Sequence, residues 1–341
     1  MKKVRKTLNK EKNALRNLIK TKNEKIVIND TDKNMGAADA DKNDVIFECI
    51  RQLGDVKTYS KRSEAEIKNI ISEIQTKLRN RVTCHLYRGN CTKTEADFLL
   101  SKMYIYDIPH FYIIWKILKN PIVGRPIVAG YNWILTPASI FVGHYFKEFY
   151  SKFENILTDS LSVIKTLENE VFDRNCFLFT IDFKSLYTNI SVQDAIKVMK
   201  ILFFRYKNVI PNAHFIIELM DLVLNSAVMK FQEEFFLQIL GIVMGTNLAP
   251  ILTNIYMAIL EEGLHIRCKN KNIKWPELYK RFIDDGFGVI KCNKIEFSKW
   301  VSEFNNLREN IFIDKWKFGN KVAFMDLYIY SREIIFSLRE N

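Results

Sequence analysis

Two adjacent aspartates, Asp284 and Asp285, lie between apolar residues within residues 281–290. Gly286 follows them, and an Asp-Gly pair flanked by apolar runs is typical of a β-hairpin turn. Neighbouring carboxylates repel each other, and a divalent cation bound at such a pair offsets the repulsion. The pattern is compatible with a metal-binding hairpin and with a solvated turn, which is the commoner reading of an isolated Asp-Asp-Gly.

A third carboxylate, Asp182, lies upstream in a run of β-branched and aromatic residues, residues 177–183. Such a run predicts a strand, and the acid falls where the strand gives way to a turn. A lone aspartate at a strand end is usually a cap or a loop residue. However, a two-metal phosphoryl-transfer site needs hard oxygen ligands on rigid elements, and a strand acid combined with a hairpin of paired acids supplies them.

Five segments along the chain carry a recognisable order of motifs. They are residues 111–121 with 125–128, then 180–190, 241–257, 281–290 and 324–329. In that order they resemble the basic fingers motif, the first catalytic motif, the template and nucleotide-pocket motif, the paired-aspartate motif and the downstream "FLD" element of reverse transcriptases. The likeness is greatest to Penelope-like retroelements, and it runs from residues 26–34 to about Tyr330. Each motif alone is weak evidence, but five in the correct order make chance agreement improbable.

The resemblance implies an α+β fold, a right-hand polymerase palm with fingers, and a thumb that is short or absent. It divides the chain into a basic N-terminal helix at 1–25, an N-terminal extension and fingers at 26–134, and a palm with the catalytic carboxylates at 135–341. The implied activity is that of an RNA-directed DNA polymerase, which adds deoxynucleotides to a primer 3′ end by two-metal nucleotidyl transfer.

The resemblance also assigns a metal site. Asp182 and Asp284 are expected to ligate two Mg²⁺ or Mn²⁺ ions, with Asp285 assisting. The backbone carbonyl of Phe183 would complete the metal shell, because carbonyl oxygens are good ligands for hard cations.

The expected nucleotide-binding residues are Lys116, Lys119, Arg125, Phe183, Tyr187 and Gly245. The three cations lie in one short basic stretch that could close over a triphosphate, with arginine offering bidentate geometry. Tyr187 occupies the position where reverse transcriptases place an aromatic ring under the sugar, which disfavours ribonucleotides. Gly245 would allow the backbone to approach the nucleotide or the primer-template closely. A solvated loop for the cations and a plain structural corner for Tyr187 are the alternatives.

The charge of the chain favours a nucleic-acid partner. The 341 residues carry a formal net charge of +12, and residues 1–25 hold ten Lys or Arg against two acids. Each cation that neutralises a phosphate releases counterions, although a surplus of charge also serves solubility alone. Apolar residues recur at helical spacing within residues 1–25, which predicts a basic amphipathic helix.

Cysteine and histidine usage indicates a reducing compartment. The six cysteines form no CxxC pair, and the five histidines show no zinc-ligand spacing. Structural zinc and a disulfide framework are therefore disfavoured, and an intracellular location, compatible with the nucleus, is the simpler interpretation. The apolar stretch at residues 133–146 is too short to span a bilayer, and we expect no membrane partner.

Local patterns predict several further elements. We expect helices at 63–81, after Ser191, at 215–229 and at 249–260, a strand pair at 231–239, and a loop followed by a short strand at 121–137. Only fifteen residues follow Asp326. A protein or RNA partner is therefore expected to replace the thumb, and synthesis by this chain alone is expected to be distributive and sensitive to salt.

Two other functions fit the same sequence. A catalytically decayed or domesticated palm would act as a nucleic-acid-binding protein without turnover, although the three acids and Tyr187 are all present. An RNA-directed RNA polymerase is the second alternative, and Tyr187 disfavours it. The expected partners are an RNA or DNA template with its primer and deoxynucleoside triphosphates.

Overall fold

The structure, a computed structural model, describes residues 26–32, 36–117, 119–206 and 212–331. The predicted basic helix at 1–25 lies outside these residues. The helices are α1 Lys42–Leu53, α2 Glu64–Tyr87, α3 Lys93–Leu100, α4 Thr136–Lys147, α5 Ser160–Glu168, α6 Leu186–Asn189, α7 Val192–Arg205, α8 Ala213–Leu224, α9 Ala249–Asn270 and α10 Lys294–Asn305. The strands are β1 Ile26–Asp30, β2 Ala37–Asp41, β3 Tyr59–Arg62, β4 His110–Lys116, β5 Val123–Ala129, β6 Phe177–Phe183, β7 Val228–Phe231, β8 Glu234–Gln238, β9 Leu278–Phe282, β10 Asp285–Ile290, β11 Ile313–Gly319, β12 Lys321–Phe324 and β13 Leu327–Tyr330.

Helix α2 shows how local sequence signals build the scaffold. Ser63 caps its first turn, and Glu66 completes a capping box by accepting from the Ser63 backbone N–H. This arrangement satisfies backbone donors that the first turn leaves unpaired. The apolar stripe along the helix, which includes Ile67 and Leu78, is buried in the main core. The predicted helix at 63–81 is confirmed, and it continues to Tyr87.

A four-stranded sheet in the order β11-β6-β10-β9 carries the three aspartates. All its neighbouring strands pair antiparallel. On one face, Phe179 of β6 packs against Phe297 and Trp300 of α10, with ring centroids 4.7 and 5.5 Å away. Because side chains alternate along a strand, the neighbouring positions of β6 face away from this core.

A five-stranded sheet in the order β3-β8-β7-β4-β5 stands beside the first. Strands β4 and β5 form a hairpin, and β4 also pairs parallel with β7. This sheet draws strands from both sides of residue 135, so a single cut at that position does not separate the two sheets. The interpretation of 26–134 as an extension with fingers and of 135–341 as a palm stays a prediction.

Three sequence-based boundaries change. The helix predicted at 215–229 ends at Leu224, because the Asn225 side chain donates to the Asp221 backbone carbonyl and Val228–Phe231 joins the sheet as β7. Within 121–137 the sequence predicts a loop followed by a short strand, but strand β5 already begins at Val123 and pairs with β4 over its whole length. Helix α9 extends beyond residue 260 to Asn270.

The other expected elements are confirmed. Helix α7 begins after the Ser191 cap, and the strand pair expected at 231–239 is present as the hairpin of β7 and β8, which begins earlier, at Val228. Among the described residues, no helix combines the length and the apolar character that crossing a bilayer requires.

Candidate active site

The three predicted carboxylates lie together where strand β6 ends and strand β10 begins, in the middle of the four-stranded sheet. Asp285 is the register partner of Asp182 across the β10–β6 pair. Directly opposed residues of an antiparallel pair project from the same face, so both side chains point to the open side. Asp284 lies in the turn, and its backbone carbonyl accepts a hydrogen bond from the Phe183 N–H at 3.0 Å. The sequence-predicted grouping of these acids is therefore present.

Close packing behind the acids fixes the spacing of the two strands. A Cβ on Gly286 would lie 2.6 Å from Cγ1 of Ile181, so only glycine lets β10 approach β6 this closely. The Phe183 ring packs against Phe304 with centroids 4.9 Å apart. Since Ile181 and Phe183 are buried, the intervening Asp182 is turned toward solvent and is about one-third exposed.

An open cleft of about 580 Å³ lies in front of the carboxylates. Asp182 and Asp285 line it together with residues of β11 and β12. One of these is Asp314, a fourth carboxylate that the sequence analysis did not identify. It stands on an exposed strand between polar and apolar residues, and no local pattern distinguishes it. Lys315 and Lys317 line the same cleft and add positive charge to its wall.

The hairpin of β4 and β5 places the predicted cations beside these acids. The Lys119 Nζ atom lies 3.9 Å from Oδ2 of Asp182, which is a long ion-pair contact. Lys116 is partly buried at the end of β4. Burial, and then the positive charge of Arg125, lower the pKa of Lys116, and the nearby charges of Asp32 and Asp284 oppose that shift. The cations of the β4–β5 hairpin and the acids of the four-stranded sheet therefore form one electrostatic unit.

Arg125 has a partner that sequence reasoning missed. Its Nη2 atom lies 3.2 Å from Oδ2 of Asp32, and both side chains are mostly enclosed. Asp32 lies just after β1, within the segment at residues 26–34 that resembles the region before the fingers. The resemblance identified the segment but gave no role to any residue in it. The pair holds the guanidinium of Arg125 at the edge of the site.

Tyr187 also lies in this unit. It stands on the short helix α6, directly after β6, and its backbone carbonyl accepts from the Ile242 N–H at 2.7 Å. Burial raises the pKa of Tyr187 to about 12, and the negative charge of Asp284 contributes. The phenol therefore stays neutral near the acids. Its predicted contact with the sugar stays a prediction.

Gly245 has a structural reason to be glycine that differs from the expected one. Its φ is +114°, and a Cβ there would lie 2.3 Å from the Val128 carbonyl oxygen. The adjacent Met244 carbonyl accepts from the Val128 N–H at 2.8 Å. The close approach is thus to the backbone of β5, and it fixes the segment at 241–257 against the fingers hairpin. A nucleotide contact at Gly245 stays a prediction.

A buried arginine supports the turn that carries the acids. Arg281 of β9 is fully buried, and its Nε atom lies 2.5 Å from Oε1 of Glu261 on α9. The guanidinium also donates to the side chain and the carbonyl of Asn254, at 2.8 and 2.9 Å, and to the Ile283 carbonyl at 2.9 Å. Ile283 has a left-handed φ of 53° and directly precedes Asp284. Arg281 therefore ties the turn to helix α9.

The same network includes Glu261 and Asn254, two residues of α9 that contact Arg281. Burial opposes the charge on Arg281, yet the Glu261 carboxylate holds the pKa of the guanidinium above its usual value. Tyr279 donates its hydroxyl hydrogen to Glu261 at 2.8 Å. Asn254 lies inside α9 and joins Arg281 to the hydroxyl of Tyr150. Glu261 has no signal in the sequence beyond being an acid on an apolar helix face.

The sequence matches no family model and no curated protein, but the fold is similar to solved polymerases. The apo telomerase of Candida tropicalis superposes with a TM-score of 0.61 at 11% identity, over 92% of this chain and 56% of that one. The telomerase of Candida albicans, solved with a fragment of telomeric RNA, gives the same score and identity, over 92% and 52%. An RNA-dependent RNA polymerase of a human picobirnavirus gives 0.50 at 8% identity, over 78% and 59%.

These similarities establish the fold and no more. The chain spans just over half the length of the telomerase and viral polymerase chains. The expected fold class is confirmed: the protein has the mixed α+β architecture of a right-hand polymerase palm, shared by reverse-transcriptase-like enzymes.

Proposed function

We propose that this chain is an RNA-directed DNA polymerase that adds deoxynucleotides to a primer 3′ end, and that it derives from a Penelope-like retroelement. The observation that carries the proposal is the register of β10 on β6, which sets Asp285 opposite Asp182 beside the turn that holds Asp284. The palm fold agrees with this activity, and the five ordered motifs support the retroelement origin.

The donors at the cleft and in the adjoining turn fit two Mg²⁺ or Mn²⁺ ions. Asp182, Asp284 and Asp285 offer hard carboxylate oxygens on a strand and a tight turn, and the Phe183 carbonyl is the remaining candidate ligand. When bound, such ions lower the pKa of a primer 3′-hydroxyl and neutralise charge on the leaving pyrophosphate. The strands keep the carboxylates fixed, so little reorganisation is needed during the reaction.

The cations and Tyr187 account for nucleotide binding in this proposal. Arg125 and Lys116, with Lys119 at the hairpin tip, face the acids and would hold the β- and γ-phosphates of the incoming nucleotide. The Tyr187 ring would lie under the sugar and exclude a 2′-hydroxyl. Arg125 would exchange its contact with Asp32 for one with phosphate.

The proposed partners are a primed RNA or DNA template and deoxynucleoside triphosphates. The net charge of +12 supports a polyanionic partner. The Candida albicans telomerase, which shares the fold, was solved with a telomeric RNA fragment, and this supports an RNA partner here. A protein or RNA that supplies the duplex clamp, and an intracellular, nuclear-compatible location, belong to the same proposal.

Primer extension tests the function directly. The substrate is oligo(dT) annealed to poly(rA), with dTTP and either Mg²⁺ or Mn²⁺. The matched control is Asp97→Asn, because Asp97 is an exposed acid on α3 that pairs locally with Lys93. Extension by the wild type and the control but not by Asp182→Asn supports the proposal. Tight template binding without extension under either metal would instead favour the decayed palm that only binds nucleic acid.

A further inference from the structure

Two histidines and a glutamate meet away from the polymerase cleft, where helix α2 packs on helix α8. His85 projects from α2, and His214 and Glu218 lie one turn apart on α8. The Nε2 atom of His85 lies 3.2 Å from Oε2 of Glu218, and Nδ1 of His214 lies 3.3 Å from Oε1 of the same carboxylate. One possible ligand atom from each of the three residues lies within 4.8 Å of the other two.

One oxygen of Glu218 and one nitrogen of each histidine must draw together by no more than about 1.5 Å to bind a tetrahedral zinc ion. Ligand atoms about 2.0–2.2 Å from one zinc ion at the tetrahedral angle lie roughly 3.3–3.6 Å from each other. Imidazole nitrogens and one carboxylate form a common zinc set, and they are a poor set for Mg²⁺, which prefers oxygen. The site therefore differs in chemistry from the carboxylate cluster in the cleft.

The surroundings hold the ligands in place. The His85 ring is buried and stacks on Phe215 with centroids 4.4 Å apart. Its other nitrogen, Nδ1, lies 3.0 Å from Nδ2 of the Asn90 side-chain amide. Metal binding through Nε2 requires this amide to turn by 180°, so that its oxygen accepts the Nδ1 hydrogen as outer-shell partners of metal-binding histidines usually do. His214 is exposed, which gives an ion access from solvent.

The neighbouring arginine, Arg81, makes contacts with groups other than the Glu218 carboxylate. Arg81 of α2 donates to the backbone carbonyl of Glu218 and lies 3.4 Å from the carboxylate of Asp221. The guanidinium of Arg81 is thus directed to groups other than the Glu218 carboxylate in these contacts. One oxygen of the Glu218 carboxylate can therefore serve as a metal ligand beside the two histidine nitrogens.

We propose that His85, His214 and Glu218 bind one Zn²⁺ ion that links α2 to α8, with the fourth position left to water. Sequence spacing gave no sign of it because His85 and Glu218 are 133 residues apart. The ion would link the two helices and would be separate from the proposed catalytic metals. It would join a helix that precedes the fingers strands to a helix of the palm region.

Metal titration of the full chain, without an affinity tag, tests the proposal. Chelator-treated protein is titrated with Co²⁺ as a spectroscopic substitute for Zn²⁺, with excess Mg²⁺ present to occupy the carboxylate cleft. We expect one equivalent of Co²⁺ with the visible bands of a nitrogen- and oxygen-ligated tetrahedral ion. His214→Ala and Glu218→Gln should each weaken binding at least tenfold. His144→Gln, at an exposed histidine of α4, should leave it unchanged.

A stability measurement separates metal binding from simple hydrogen bonding. Zn²⁺ should raise the Tm of the wild type and of His144→Gln, and it should not raise the Tm of His214→Ala, because only a ligand that binds the folded state stabilises it. Since His214 is exposed, its variant should have the wild-type Tm without metal. Equal Co²⁺ affinity in the wild type and His214→Ala, absorption bands typical of thiolate ligation, or a wild type that binds no Co²⁺ would each overturn the proposal.

Discussion

The hairpin of β9 and β10 carries charged side chains in two contrasting settings. Asp285 lines an open cleft together with a third acid, Asp182, and Asp284 lies in the adjoining turn; both hairpin aspartates are partly exposed. Arg281, three residues before Asp284, is fully enclosed and donates to Glu261, to Asn254 and to the turn itself. One region gathers like charges at a surface, and the other pairs opposite charges in the interior.

The contrast shows which region serves stability and which serves chemistry. Clustered carboxylates repel one another, so keeping them together lowers stability unless a cation binds. A buried ion pair with complete hydrogen bonding is costly to break, because removal of one partner leaves an unpaired buried charge. Substitutions in the two regions should therefore separate activity from stability, and the predictions below test that separation.

The largest effect is expected at the open acids. Asp182→Asn or Asp284→Asn should reduce primer extension on the order of 10⁴-fold, about 5.5 kcal/mol, because a metal ligand and a negative charge are lost from the transition state. The Tm of each variant should equal or exceed that of the wild type, since one repelling charge is gone. Single-turnover extension and thermal melts measure the two quantities.

Asp97→Asn serves as the control for removing a carboxylate at the surface. It should keep both the rate and the Tm of the wild type. Near-wild-type extension in both aspartate variants would contradict the catalytic assignment. A fall in Tm that parallels the fall in rate would assign these acids to the scaffold and remove the contrast.

The next effect concerns the buried network. Arg281→Met should lower the free energy of unfolding by about 3–5 kcal/mol, because Glu261 would be left buried without its cation. The matched control is Arg205→Met, which breaks a half-exposed pair with Glu262 and should cost less than about 1 kcal/mol. Urea melts of both variants measure the difference. Equal losses would mean that burial does not distinguish the two pairs.

Much of the fold was predictable because its signals are local. The apolar stripe after Ser63 predicted α2, and the Asp-Asp-Gly sequence predicted the hairpin of β9 and β10, although the turn itself lies at residues 283–284 and Asp285 begins β10. The helix prediction failed past Leu224, where apolar residues continue in sequence but the chain turns at Asn225. Residues 228–231 form a strand instead because they pair with β4 and β8. A local sequence pattern does not show the pairing with β4, which is distant in sequence.

The three acids could be predicted because each lies in a motif and the motifs follow one another in a recognisable order. Taken alone, the patterns around Asp182, Asp284 and Asp285 fit a strand cap or a solvated turn equally well. Asp32 and Glu261 could not be found in this way, because their partners, Arg125 and Arg281, are far away in sequence. Their roles follow from sheet assembly and burial, which a sequence pattern does not contain.

A smaller effect is expected at the fingers cation. Arg125→Ala should raise the apparent KM for deoxynucleotide roughly tenfold or more, while the affinity for primer-template stays nearly unchanged. Removing a bidentate phosphate donor weakens nucleotide binding and leaves the duplex contacts in place. Steady-state kinetics and a separate binding titration measure the two quantities. A defect confined to primer-template binding would place Arg125 on the nucleic-acid path.

The preference for deoxynucleotides over ribonucleotides tests the proposed role of the Tyr187 ring beside the acids. Tyr187→Ala should raise the use of ribonucleotides relative to deoxynucleotides by roughly tenfold, about 1.4 kcal/mol, because the ring no longer meets the 2′-hydroxyl. Tyr187→Phe is the matched control and should keep the wild-type ratio. The ratio of the two kcat/KM values is the measurement. A flat ratio in the alanine variant would assign the ring to packing.

The smallest effect is a pH dependence that arises where the fingers and the palm meet. Burial and the neighbouring Arg125 lower the pKa of Lys116, so this lysine loses its charge at a lower pH than an ordinary lysine does. The protonated form is the one that attracts a triphosphate. The apparent KM for deoxynucleotide should therefore rise as the pH climbs through this lowered pKa, while Lys116→Arg, which stays charged, should show a flatter profile. The test is a measurement of KM against pH for the wild type and for Lys116→Arg. Identical profiles would show that Lys116 takes no part in binding the nucleotide.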